Sequence, residues 1–344
     1  MTSLRVAVIG AGVMGRHHAN VYRLVPGVEL VGIVEPDERR RHEAALQFGC
    51  PVHEDLATLL ATTRLDAASV AAPTTVHHPL TATLLEAGVH VLVEKPVATR
   101  VEDAVALART SRDRGLVLQV GHITRFFRAV ERLRAEVERP YLIEARRLSP
   151  NGRIQDVGVV LDLMIHDIDI VLGLVRQRVV DVAVAGHVVG RGPHEDVCAA
   201  QVRFANGCVA RFLASRVAPD AERSLVVAEP HRTYRLDFAK EPHTEMTIFR
   251  PAPGDAGLPG AAAHEAGDRG YGSHVVVDRH VVFEDNPLRK QLAHFVARIR
   301  GASSPVGTLE EDIRSLALAQ DLLQRLRAQG SEAGAVAAAP PVGR

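Results

Sequence analysis

Short apolar runs alternate with helix-periodic segments through the first third of the chain. RVAVI (5–9), LVGIV (30–34), a short run near Val52, AASVAAP (67–73), HVLVEK (90–95) and LVLQV (116–120) read as strands. Between them, apolar positions at helical spacing predict helices from about Val13, over Glu38 to Phe48, in DLATLL, from Pro79 to Ala87 and from Val101 to Arg114. The strands show little in–out alternation, the mark of a parallel sheet covered by helices on both faces. From residue 122 the texture changes to YLIEARRL, VVDVAVAGHVV, VCAAQVRF, CVARFLAS, SLVVAE, TYRLDF, EMTIF and HVVFE. Several of these alternate apolar and polar residues, which predicts a large, mainly antiparallel sheet with one open face. Helices are predicted at about Pro287 to Arg300 and Thr308 to Ala328, Glu310 and Glu311 lying in the first turn of the latter, where the helix dipole favours them.

The fold class expected is therefore α/β: a doubly wound parallel sheet over residues 1–121, then an α+β domain over 122–329 with the last helix free to pack back on the first domain. Residues 251–273, rich in Gly, Ala and Pro, read as a mobile loop, and 330–344 as a disordered tail of small residues. A length of 344 residues is more than one core comfortably serves, which agrees with two domains. The 41 basic and 41 acidic side chains balance, so no global field points to nucleic acid or an anionic membrane, and an anionic ligand must be met locally. No apolar run approaches the ~20 residues of a membrane helix, and the N-terminus lacks a signal-peptide layout, so a cytoplasmic location is expected. Cys50, Cys198 and Cys208 are odd in number and lack CxxC spacing, which argues against a disulfide framework or structural zinc.

Candidate chemistry begins at GAGVMG, directly after the first strand. Gly10 suits the tight turn, Gly12 leaves room for a pyrophosphate, and Gly15 lets the next helix pack closely, while the backbone around Val13 and Met14 offers the unpaired N–H groups of a helix start. Glu35 ends the second strand 20 residues beyond Gly15, where a carboxylate can accept from a ribose diol. Pro73, Thr74 and His77 in APTTVH, and Glu94 with Lys95 in VEKPV, follow later strands and so end at the same crevice, His77 toward its nicotinamide side. Residues 156–173, DVGVVLDLMIHDIDIVLG, read as one apolar helix interrupted by Asp162, His166, Asp167 and Asp169. At 3.6 residues per turn Asp162, His166 and Asp169 share a stripe, which should face a polar cavity because unpaired burial would cost several kcal/mol per charge. No second histidine stands at ligand spacing, so no metal is expected.

Together GAGVMG, APTTVH, the EKP tripeptide Glu94-Lys95-Pro96 and DLMIHDID resemble the glucose-fructose oxidoreductase / inositol dehydrogenase / MocA family, up to about residue 328. GHITRFF, the 156–173 segment and NPLRKQLAHF resemble members that oxidise UDP-N-acetylglucosamine at C3. The resemblance implies that Lys95 and His166 work on a substrate hydroxyl while a nicotinamide takes the hydride, with Asp162 as the third catalytic residue. Asp162 or Asp169 would orient the imidazole. A carboxylate at Glu35 favours NAD over NADP by like-charge repulsion, with Arg39, Arg40 and Arg41 nearby as a counterweight. Arg125 and Arg153 are candidate partners of a substrate diphosphate, and His122 a candidate contact to the sugar, or else a satisfied core histidine. The expected partners are a nucleotide sugar and further copies of the chain, as a dimer or tetramer. Two other readings stand beside this one: an inositol or cyclic-polyol dehydrogenase, and a non-catalytic dinucleotide sensor.

Overall fold

Small and β-branched residues fill four consecutive buried positions in each of Leu4–Ile9 (β1) and Ala67–Val70 (β4), and the two strands pair in parallel. With Val28–Val34 (β2), Val52–His53 (β3), His90–Glu94 (β5) and Leu118–Gly121 (β6) they form a parallel sheet of order β3-β2-β1-β4-β5-β6. The order reverses between β1 and β4, the point at which a ligand crevice opens in sheets of this kind. The connecting helices are Val13–Tyr22 (α1), Glu38–Phe48 (α2), Leu56–Thr62 (α3), His77–Glu86 (α4) and Val101–Asp113 (α5). Their starts and stops follow local chemistry: Asp37 and Asp55 cap α2 and α3 by accepting the Arg40 and Thr58 N–H groups, and Gly49 closes α2 in the left-handed conformation. The computed structural model describes residues 3–150, 156–190, 192–240, 243–251 and 275–337.

The chain divides into one unit of Met1–Phe127 with Asp285–Ala317 and a second of Arg128–Glu284 with Leu318–Arg344. The first break falls after Phe127, six residues beyond the expected one, and the unit regains chain near its end. Pro287–Ile299 (α8), assigned from sequence to the second domain, belongs to the first. Its Leu288, Leu292, Phe295 and Val296 share one buried cluster with Val6, Val8, Ala19 and Tyr22. Periodicity shows that a helix has an apolar face; it does not say which sheet that face covers.

The first unit also holds the start of Leu309–Ala337 (α9), whose Asp312 meets Arg125 from the short 3₁₀ turn Ile123–Phe126. Arg125 Nη2 lies 2.6 Å from Asp312 Oδ1, and both side chains are almost wholly buried. The helix continues to Ala337, which corrects the expected tail from residue 330. Alanine is the best helix former, and the segment SEAGAVA holds three alanines and no proline. Residues 338–344 of the expected tail, and nearly all of the expected 251–273 loop, lie outside the described residues.

The second unit is built on eight strands: Leu142–Leu148 (β7), Val179–His187 (β8), Val197–Phe204 (β9), Val209–Ser215 (β10), Glu222–Glu229 (β11), Arg232–Asp237 (β12), His243–Pro251 (β13) and Val275–Phe283 (β14). Their order is β14-β13-β12-β11-β7-β10-β9-β8, antiparallel except for the central β7–β10 pair. The alternation read from sequence is literal in β9, where Cys198, Ala200, Val202 and Phe204 are buried while Ala199, Gln201 and Arg203 are exposed. Arg128–Glu136 (α6) and Ile165–Val175 (α7) pack together in this unit, and α7 also meets β7. The distal part of α9 meets β8, where Arg325 and Gln329 donate to the Val182 and Val184 carbonyls. Among the described residues no helix is long and apolar enough to cross a membrane.

Asp312→Ala would strand the buried Arg125 charge. A loss of about 3–5 kcal/mol is expected in denaturant unfolding; a loss below ~1 kcal/mol would show that the pair carries no stability.

Candidate active site

The glycine turn divides its three glycines between two different constraints. Gly10 has a φ of +104°, and a Cβ there would crowd the Ala71 carbonyl. A Cβ on Gly15 would run into the Gly10 carbonyl, so glycine is required for α1 to sit this close to β1. Gly12 differs: its φ is −69°, and a Cβ would meet no atom within 4 Å. Nothing in the chain itself demands glycine at Gly12, whereas a pyrophosphate approaching the first N–H groups of α1 would. Val13 beside it is 51 % exposed, an apolar surface at the helix mouth. These features fit a dinucleotide's phosphates. Met14 is half-buried on the same turn.

Glu35 braces that turn. Its Oε2 accepts the Ala11 N–H at 2.8 Å and its Oε1 accepts the Asp37 N–H at 3.0 Å, and the residue is 3 % exposed. Arg40 Nη2 stands 3.3 Å from Oε1. Arg41 donates to the backbone carbonyls of Glu35 and Pro36, and Arg39 pairs with Glu43.

Two further loops of the same unit are tied together by His77. Its Nδ1 lies 2.8 Å from the Pro96 carbonyl and its Nε2 2.9 Å from the Ala72 carbonyl, linking the loop after β4 to the loop after β5. Burial pulls the imidazole below its usual pKa, and in its neutral form the ring donates to one of the two carbonyls and packs against the other. Thr74 is buried on the intervening 3₁₀ turn and Pro73 is exposed before it. The Lys95-Pro96 bond is cis. Behind Lys95, Glu94 Oε1 lies 3.0 Å from Nε2 of the fully buried His18. Burial alone would raise the Glu94 pKa, but the His18 hydrogen bond, reinforced by the His18, Lys95 and His77 charges, holds it below the usual carboxylate range. Lys95, half-buried, therefore stands next to a fixed anion. His18 was not singled out from sequence. Its one signal is a position three residues after Gly15, on the buried side of α1.

In the second unit the expected regular helix begins as a π-helical turn, Val160–Met164, and becomes α-helical at α7. Such turns widen the spacing between successive side chains and recur at functional sites. The polar stripe splits accordingly. Asp167 is held by Arg147, whose Nη2 lies 2.7 Å from Oδ1, and Asp169 lies 3.9 Å from Arg134 and is 2 % exposed. Asp162 and His166 are half-buried. The placement of Asp169 on the cavity stripe is thus corrected: a buried carboxylate has been matched with a guanidinium, as burial requires.

The expected substrate contacts of the first unit are placed differently from the reading of sequence. Arg125 is occupied by Asp312 inside the core, a strut instead of a phosphate fork, and His122 is 2 % exposed with Nε2 3.7 Å from the same carboxylate. Arg153 lies outside the described residues. Burial pushes the thiols of Cys198 and Cys208 up, to about 12 and about 11, so neither is a nucleophile at neutral pH.

Residues 4–122 match the oxidoreductase family with an NAD-binding Rossmann fold, and residues 129–234 match the GFO/IDH/MocA C-terminal domain. The chain is 36 % identical over 262 residues to the UDP-N-acetylglucosamine 3-dehydrogenase of Acidithiobacillus ferrooxidans, covering 76 % of this chain and 82 % of that one. A solved structure of the UDP-N-acetylglucosamine 3-dehydrogenase of that organism superposes with a TM-score of 0.80 at 30 % identity, over 94 % of this chain and 97 % of the other. The scyllo-inositol 2-dehydrogenase (NAD(+)) of Bacillus subtilis is 28 % identical, over 63 % of this chain and 68 % of its own length.

Two outcomes test the site's construction. Gly12→Val should leave thermal stability nearly unchanged while weakening dinucleotide binding at least ~100-fold by calorimetry, whereas Gly15→Ala should destabilise by about 1–3 kcal/mol; equal stability losses would remove the distinction between the two glycines. Because the Glu94 pKa in the folded protein lies below its ordinary 4.5, the pair stabilises the fold above that pH and the contribution is lost as pH falls through the folded value. Glu94→Gln should therefore flatten the acid limb of the Tm–pH curve below pH 4.5; an unaltered limb would refute the linkage.

Proposed function

Because the chain belongs to the GFO/IDH/MocA oxidoreductase family, and is accordingly a nicotinamide-dinucleotide-dependent dehydrogenase acting on a CH–OH group, we propose that it oxidises the C3 hydroxyl of a nucleotide sugar such as UDP-N-acetylglucosamine to the 3-keto sugar. One observation carries the chemistry. Asp162 on the π-helical turn and His166 at the start of α7 stand half-buried four residues apart, a carboxylate and an imidazole on one short stretch of helix. The choice of sugar is supported by the Acidithiobacillus ferrooxidans relative.

Oxidation of a secondary alcohol removes an O–H proton as a hydride leaves the same carbon. When bound, the dinucleotide supplies the hydride acceptor. In this reading His166 takes the hydroxyl proton, since an imidazole's ordinary pKa of ~6.5 suits a group that must accept and return a proton near neutrality. Asp162 orients the ring and favours the imidazolium that forms. Lys95 stabilises the developing alkoxide charge. Glu94 fixes the neighbourhood of that ammonium, and His77 holds the loop that carries it. NAD is the working cofactor in this reading, the dinucleotide that a carboxylate at the position of Glu35 accompanies in folds of this kind.

The open face of the second sheet offers Leu142, Val209, Leu213, Val226 and Phe249 among its charged positions, and Val277, Val281 and Phe283 lie exposed on its edge strand. An apolar stripe of this kind suits a second copy of the chain, so the proposed state is a homodimer or homotetramer. A cytoplasmic location belongs to the same proposal. A cyclic-polyol dehydrogenase is the second reading, supported by the Bacillus subtilis inositol relative. A non-catalytic sensor would have no use for Lys95, Asp162 and His166 together.

Lys95→Ala and His166→Ala should each lose at least ~100-fold in turnover with dinucleotide affinity nearly kept; normal turnover in either would remove its role. In a thermal-shift screen with NAD present, UDP-N-acetylglucosamine or its uronate should raise Tm where inositols do not. A shift from inositol alone would replace the nucleotide-sugar reading with the polyol one.

A further inference from the structure

Glu35 is the wrong shape for a simple barrier against NADP. A carboxylate that excludes a 2′-phosphate must present its charge to the ribose, yet this one is 3 % exposed and has already accepted two backbone N–H groups, one on each oxygen. Its remaining neighbour is a cation. Arg40 Nη2 stands 3.3 Å from Oε1, and the same guanidinium lies 3.6 Å, through Nε, from Asp37 Oδ1. The Arg40 side chain is 45 % exposed, so it reaches over the carboxylate from the solvent side.

The other arginines of the ERRR run have different work. Arg39 pairs with Glu43 along the helix, and Arg41 is spent on the carbonyls of Glu35 and Pro36. Arg40 is thus the arginine of this run that covers the Glu35 carboxylate at the end of β2, where the adenosine ribose of a dinucleotide lies in folds of this kind. A guanidinium is a phosphate fork as well as a carboxylate partner, and it can exchange one anion for the other by a side-chain rotation in solvent.

We infer that Arg40 is a specificity-determining residue that masks the Glu35 charge and offers a contact to the 2′-phosphate of NADP, so that this site admits both dinucleotides. With NAD there is no 2′-phosphate to meet, and Arg40 stays on Glu35. With NADP, the guanidinium leaves Glu35, whose charge stays compensated by its two N–H donors, and pairs with the phosphate. The NAD preference argued from Glu35 alone then becomes shallow. This rests on the dinucleotide reading of the first unit.

The test is isothermal titration of the full chain with NADH and with NADPH, for wild type, Arg40→Ala and Arg40→Gln, at two salt concentrations. Wild type is expected to bind NADPH within about tenfold of NADH, with the steeper salt dependence on the NADPH side. Both substitutions should weaken NADPH at least ~10-fold and leave NADH within about threefold. The inference is overturned if wild type binds NADPH more than ~100-fold more weakly than NADH, or if the substitutions move both ligands equally. Wild type that binds neither dinucleotide would overturn the underlying reading together with it, whereas tight NADH binding with an indifferent Arg40 would overturn the inference alone.

Discussion

A single buried carboxylate organises the N-terminal half of the molecule. Glu35 directly follows β2 and reaches across to the Ala11 N–H in the turn after β1, so one side chain fixes the separation of those two loops. The desolvation of its charge is offset by the Asp37 N–H and by Arg40. The glycine turn depends on this brace. With Gly10 in a conformation that other residues avoid and Gly15 pressed on the Gly10 carbonyl, the backbone can take one course only, and Gly12 is left facing open space.

The same arrangement, a buried ionisable group matched by a partner distant in sequence, recurs wherever the chain positions chemistry. His18 holds Glu94 from 76 residues away, which places an anion beside Lys95. Arg147 and Arg134 stand against Asp167 and Asp169, and fix where those two carboxylates lie on their helix. Arg125 and Asp312 pin the first turns of the last long helix to the first unit. Each pair adds little net stability by itself, but removing one partner is costly, and this fixes where the charges stand.

The strands were legible because a parallel sheet buried on both faces must be written as continuous apolar runs, and RVAVI, AASV and HVLVE are such runs. The glycine turn and the EKP loop were legible for a different reason: their residue types have few other uses in that context. What could not be read depends on partners distant in sequence. Nothing in the pattern of α8 says that Phe295 lies with Tyr22 and not with the second sheet. Nothing around Arg125 says that a carboxylate 187 residues later will claim it before a phosphate can. The π-helical turn at Val160–Met164 was hidden because regular periodicity was assumed through the apolar segment, and VLDLM itself holds no proline or glycine to mark the irregularity.

The proposed reaction moves a hydride from one sugar carbon to the nicotinamide, and isotope tracing follows that atom directly. UDP-N-acetylglucosamine deuterated at C3, incubated with the protein and NAD, should yield NADH carrying one deuterium at the nicotinamide C4, with turnover slowed relative to unlabelled sugar. Unlabelled NADH, or deuterium retained in the sugar after oxidation, would contradict the assignment of carbon and mechanism.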